Sequence, residues 1–169
     1  FVDFPATVLA LAGVPRPVWI EGRAAAAGDP GERRDPDEPV YVSRDRMDER
    51  IDTVRALADR RWLYVRNLRP DVPLVQHVNY MFRARGYESW VREARAGRLP
   101  PASAACFGER PPEELYDLDG DPDNVRNLAT DPAHRDTLEA LRTKLRDRAV
   151  ALGDGGLLPE GSPLEVAVG

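Results

Sequence analysis

The chain is short of the side chains on which most intracellular chemistry relies. It holds one cysteine, Cys106, one lysine, Lys144, and two histidines, His77 and His134. A lone cysteine excludes an internal disulfide and leaves the redox compartment open. Two histidines far apart in sequence, with no neighbouring cysteine, exclude the usual zinc-site spacings. No apolar run approaches the roughly 20 residues of a membrane-spanning helix, and no secretory-leader pattern opens the chain. Phe1 is not a methionine and already lies in an apolar segment, which gives the expectation of a cut end. The net charge of −5 supplies no electrostatic footprint for nucleic acid.

What is abundant is arginine, proline and glycine. Arginine outnumbers lysine 23 to 1, which reads first as codon composition and second as capacity for bidentate anion recognition. Pro 16 and Gly 13 among 169 residues predict much irregular backbone around a core built from the 42% apolar residues. FVDFPATVLALAGVP predicts a short opening helix, with Asp3 as its cap, Pro5 in its first turn, and Gly13 with Pro15 as its stop. That helix is apolar on most sides and calls for a partner surface larger than itself. The polar stretch AAAAGDPGERRDPDEP then predicts a linker at residues 28–39.

From Pro39 the pattern turns to strands. PVYVS, then TVRALA and RWLYVRN around Asp59-Arg60, then ELYDL give four candidates, the middle two as a hairpin. An insertion over 70–112 contains a predicted helix at YESWVREARAG, closed by Gly97. The last helix is the clearest element. Asp131 caps it, Pro132 takes its first position, and Leu138, Leu141, Leu145, Ala149 and Leu152 recur at spacings of three and four. Such a stripe would roof one face of an antiparallel sheet. The expected fold class is therefore α+β, a small four-stranded antiparallel sheet packed against a C-terminal helix, with a Gly/Pro-rich tail from Gly153.

Three features invite chemistry. Asp117, Asp119, Asp121 and Asp123 alternate like calcium-loop ligands. A calcium loop needs glycine at its sixth position and a bidentate glutamate at its twelfth. Counted from Asp117 those places hold Pro122 and Leu128, and counted from Asp119 they hold Asn124 and Thr130. The stretch reads instead as a strand ending in a turn. Cys106-Phe-Gly-Glu-Arg110 approximates Cys-x-Pro/Ala-x-Arg, but Gly108 departs from it and no supporting constellation follows. His77, between apolar residues in PLVQHVNYMF, reads as a packing residue, with a ligand role as the alternative.

Several separate places resemble the C-terminal end of a sulfatase of the alkaline phosphatase superfamily. Asp3-Phe4-Pro5-Ala6-Thr7 through Gly13 resembles the family's Asp-x-x-Pro-Thr helix ending in Ala-Gly, with a shift around Pro5. Glu21-Gly22-Arg23 is similar to the step that follows it. Glu114-Leu115-Tyr116-Asp117-Leu118, Asp121-Pro122 and Asn127-Leu128-Ala129 resemble the closing signature of these enzymes. Ser43 to Arg50 and Gln76 to Phe82 are similar to the branch of heparan N-sulfatase, or N-sulfoglucosamine sulfohydrolase, which acts on a glycosaminoglycan.

The resemblance implies that residues 1–27 end a catalytic α/β domain, that 28–39 link it to a C-terminal subdomain at 40–152, and that 153–169 form a tail. It places the formylglycine, the calcium and the catalytic residues of a sulfuric ester hydrolase upstream of Phe1, so no catalytic residue, metal or cofactor is expected within this chain. The expected partners are the rest of that catalytic domain and a sulfated carbohydrate, with no nucleic acid and no membrane, in a periplasmic or secreted setting.

What remains for these residues is the rim of a substrate pocket. Arg44, Arg46, Asp48, Glu49 and Arg50 follow the first strand, and His77 joins them as a candidate. A sulfated sugar needs guanidinium groups for its anions and carboxylates for its hydroxyls. A solvated charged turn is the other reading of that loop. For the chain as a whole, the alternative is a stand-alone binding or structural module that kept the fold without the chemistry.

Overall fold

A computed structural model describes residues 2–25, 35 and 37–158. Most of the expected linker and all of the tail beyond Leu158 lie outside the described residues. The chain divides into two compact units, residues 1–38 and 39–169.

In the first unit, α1 spans Asp3–Leu11. Gly13 takes the left-handed conformation that only glycine adopts without strain (φ +67°), and it ends the helix as expected. Asp3 does not cap that helix. Its carboxylate accepts a hydrogen bond from the Arg23 amide at 2.9 Å, so it ties the helix to the returning strand of chain. Gly22 is required at this return, since a Cβ there would sit 1.9 Å from the Val2 carbonyl oxygen.

The second unit is built on a sheet of β1 (Val40–Arg44), β2 (Val54–Ala58), β3 (Trp62–Asn67) and β4 (Glu113–Asp117). All neighbours are antiparallel in the order β1-β2-β3-β4. The β2–β3 hairpin turns on Asp59, whose Oδ1 accepts from the amides of Arg61 at 2.9 Å and Trp62 at 2.6 Å, so the carboxylate does locally what an Asx turn requires.

Alternation along the strands sorts the side chains onto two faces. One row across the sheet is Tyr41, Leu57, Tyr64 and Leu115. It packs under α4 (Arg135–Leu152), whose Leu138, Leu141 and Leu145 complete a dry core with Leu128. Each fully buried leucine of this cluster contributes about 1.5–3 kcal/mol of transfer free energy. Leu152, expected on the same stripe, is 48% exposed, so the buried stripe ends at Ala149. Asp131 accepts from the Ala133 amide as the expected cap, but the first turn, Pro132–His134, is 3-10 before α4 proper.

The closing signature has a physical reason. Asn127 Oδ1 accepts from the amides of Leu115 at 3.0 Å and Ala129 at 2.9 Å, while its Nδ2 donates to the Glu113 carbonyl. It thus supplies β4 with a partner where the sheet would otherwise have an open edge, and it drops Leu128 into the core.

The opposite face carries Val54, Leu63, Val65 and Tyr116. The insertion lies against it with α2 (Arg85–Arg95) and the short α3 (Pro101–Ala104), around a cavity of about 620 Å³. Buried Arg110 anchors the insertion through Asp52 and through the carbonyls of Val72 and Arg69. Among the described residues no helix is long and apolar enough to cross a membrane.

Candidate functional site

The charged segment after β1 forms a tight turn, closed by the Met47–Arg50 bridge with amide–carbonyl distances of 2.8 and 3.0 Å. Asp48 sits at its tip with φ +49°, a left-handed conformation that aspartate tolerates better than most residues. The Arg46 Nη1 donates to the Asp48 carbonyl at 3.3 Å, so this guanidinium folds over the tip.

The turn is docked on the segment around His77. Arg50 Nε donates to the His77 carbonyl, and the Asn79 amide donates to Glu49 Oε1 at 2.9 Å. That amide is the main reason the Glu49 carboxyl is held below the usual carboxylate range, with the Arg50 and His77 charges adding to it. His77 packs, as the sequence suggests, with its ring tilted on Phe82 at 4.5 Å between centroids and Nε2 3.0 Å from Asn79 Oδ1, yet the residue stays exposed to solvent. Val78, not His77, turns inward and is buried, because a single extended residue flips the side-chain direction.

Behind the imidazole lies a recess of about 190 Å³ lined by Phe82, Tyr87, Phe107, Val91 and Arg95. The Tyr87 hydroxyl donates to the Gln76 carbonyl at 2.6 Å and fixes the strand that presents His77. Arg46, Asp48, Glu49, Arg50 and His77 therefore share one surface, where carboxylate, guanidinium and imidazole lie beside an aromatic recess. Such a surface is able to bind hydroxyls and an anion together.

Arg44 is not among them. It ends β1 with Nε buried 3.6 Å from Asp52 Oδ2, and it lines the large cavity under the insertion. The reason is the strand end: Arg44 is still in β1 and its side chain is fixed by the sheet, whereas Arg46 lies beyond it and belongs to the turn. Sequence reading missed Asn79 and Phe82, although their spacing from His77 in HVNYMF was the available signal.

The other features follow their local chemistry. Asp117 holds Arg61 at 2.9 Å and Asp121 accepts from the Arg126 amide at 2.7 Å, so the two work as turn and pair residues. Cys106 Sγ sits 4.0 Å from the Ala102 carbonyl at the wall of the large cavity. Lys144 is exposed on α4, and His134 stacks edge-on against Trp62 at 5.5 Å. Among the described residues no three His, Cys, Asp or Glu side chains converge to hold an ion. The donor sets present therefore do not fit the calcium of a sulfatase centre, and no reaction step is assigned to these residues.

No family model matches the chain. It is 31% identical over 161 residues, 95% of its length, to the ulvan-active sulfatase of Formosa agariphila, of which it covers 26%. Its fold resembles a protein from Bacteroides thetaiotaomicron described as a candidate sulfatase, with TM-score 0.59, 20% identity, and coverage of 96% of this chain and 27% of the other. It also resembles a 2-O glycosaminoglycan sulfatase, with TM-score 0.57, 21% identity, and coverage of 90% and 25%. The chain spans about a quarter of the length of the relatives it matches. Over nearly its whole length it is similar to one part of a sulfatase, and its fold, a four-stranded sheet with a C-terminal helix, is similar to one part of the two solved structures.

Proposed function

We propose that these residues form the C-terminal part of a sulfatase that removes sulfate from a sulfated polysaccharide, and that the turn at Arg46–Arg50 with His77 rims the substrate pocket. The identity to the ulvan-active sulfatase across nearly the whole chain carries the reading. Two relatives are named for sulfated polysaccharides, ulvan and a glycosaminoglycan, which supports that substrate class. The rim chemistry supports it as well: Arg46 and Arg50 suit the sulfate, while Asp48 and Glu49 suit sugar hydroxyls. The finer placement, in the heparan N-sulfatase branch, rests on the Ser43–Arg50 and Gln76–Phe82 segments. It implies a sulfamate as the bond broken, and calcium and formylglycine in the catalytic domain that precedes this part.

The experiment is sulfate release by the full-length protein, measured by ion chromatography on an O-sulfated and an N-sulfated oligosaccharide. Release from either supports the sulfatase reading, and preference for the N-sulfated one supports the branch. No release from any sulfated sugar or aryl sulfate contradicts it and leaves a non-catalytic module.

A further inference from the structure

Away from the rim, between β3 and α4, the sheet leaves a cleft of about 500 Å³. Four arginines line it, Arg55, Arg66, Arg142 and Arg146. Arg142 grips Glu113 with Nε at 2.8 Å and Nη2 at 2.9 Å, Arg66 approaches the same carboxylate at 3.5 Å, and the Tyr64 hydroxyl donates to it at 2.6 Å. One carboxylate therefore serves two arginines and a phenol, and it cannot neutralise both cations. Arg146 lies 3.3 Å from Asp147, but these side chains are 72% and 65% exposed, and an open pair of that kind binds weakly. Arg55 adds no spare charge, since Asp45 and Asp154 engage it. The lining thus carries four arginines against one carboxylate, Glu113, with Asp45, Asp147 and Asp154 as pairing partners beside it, on a chain of net charge −5.

Its floor is apolar. Leu68, Leu145, Ala149 and Val150 line it, and Val150 is 76% exposed. Arg142 and Arg146 stand one helical turn apart, about 6 Å along the axis at the helical rise per residue. That is comparable to the step from one sugar ring to the next. A pyranose chain presents C–H faces to apolar surface and anions at its edges, and each anion would meet one guanidinium of this ladder.

We propose that the β3–α4 cleft is a binding site for a sulfated polysaccharide chain, holding the polymer through Arg66, Arg142 and Arg146, none of which belongs to the rim. The proposal rests on the reading of the substrate as a sulfated polysaccharide. It adds a reason for long chains to be preferred over short ones, since a second foothold raises the effective concentration of the next sulfate at the pocket.

The test uses the full-length protein, a size-defined dextran sulfate oligosaccharide and uncharged dextran, with affinity read by calorimetry at several salt concentrations. The wild type should bind only the sulfated probe, with affinity falling as salt rises. The R66E/R146E variant should bind about ten-fold or more weakly with a shallower salt slope, as expected when two charge-assisted contacts are reversed. Its KM on a long sulfated chain should rise while turnover of a small aryl sulfate stays unchanged. Arg146→Gln alone, at an exposed position, should show the same direction with an unaltered melting temperature.

Equal binding by wild type and both variants overturns the proposed site. A wild type that releases sulfate but does not bind dextran sulfate overturns it too, and leaves the sulfatase reading standing. Arginine-dependent binding without release of sulfate from any substrate supports the cleft as a polyanion site and removes the sulfatase reading instead. If the wild type sediments as a dimer that R146Q dissociates, a second copy fills the cleft and the proposal fails.

Discussion

Arg110 sets two nitrogens on the Asp52 carboxylate, Nη2 at 2.6 Å from Oδ1 and Nη1 at 3.1 Å from Oδ2, with both side chains withdrawn from water. Asp52 lies just before β2 and Arg110 at the end of the insertion. One ion pair therefore closes the excursion of more than forty residues against the sheet that launches it. Removing Arg110 would leave a buried carboxylate with the Thr53 amide at 2.8 Å and Arg44 at 3.6 Å as its remaining neighbours. Arg110→Leu is expected to cost about 3–5 kcal/mol by denaturant midpoint. Asp52→Asn combined with it should cost less than the sum of the two single changes, because the stranded charge is gone.

A second pair fixes the chain after α4. Asp154 accepts from Arg55 Nη2 at 2.9 Å and from the Tyr41 hydroxyl at 2.5 Å. Arg55 holds the Asp154 carboxyl down to about 2 from its ordinary 3.8, while burial and Asp154 push the Tyr41 hydroxyl up to about 12. A depressed carboxyl contributes stability that is present above its unfolded pKa and is lost as pH falls through the folded one. The expected loss is about 2 kcal/mol between pH 4 and pH 2 at 1.36 kcal/mol per unit. Asp154→Asn should flatten that limb in melting curves taken across the window.

Gly156 packs on the same pair. A Cβ at this position would lie 2.0 Å from Arg55 Nη2 and 2.9 Å from Asp45 Oδ2, and Arg55 is held by two carboxylates and cannot swing aside cheaply. Gly156→Ala should destabilise by about 1–3 kcal/mol, as overpacking does. Gly155→Ala meets nothing within 4 Å and should be near neutral in the same melts.

The helix stripe separates core from edge. Leu141 is 3% exposed inside the cluster and Leu152 is 48% exposed beyond it. Leu141→Ala should cost about 2–5 kcal/mol and Leu152→Ala well under about 1 kcal/mol by denaturation.

Much of this was legible from the sequence because local rules and tertiary packing agree. The Asp59-Arg60 turn, the Leu138–Ala149 stripe, Gly13 and Gly97 each sit where periodicity and backbone chemistry put them. Asp3 was misread because an acidic residue at a helix start satisfies the capping rule in sequence, while the Arg23 amide, twenty residues on, competes for it in space. The packing of His77 was legible from its apolar flanks, but its exposure was not, because in extended chain the neighbour of an inward residue points outward. The rim residues shared a short charged run and could be named together, except Arg44, which β1 still holds against Asp52. The Arg66–Glu113–Arg142 grouping joins three distant segments, and no spacing announces it.

The most direct test of the rim is steady-state kinetics of Arg46→Ala and His77→Ala in the full-length protein on a sulfated oligosaccharide. Both positions are exposed, so melting temperatures should hold. The expected result is a fall of about ten-fold or more in kcat/KM, the loss of one charge-assisted contact being worth about 1.5–3 kcal/mol. Wild-type kcat/KM in both variants would contradict the account.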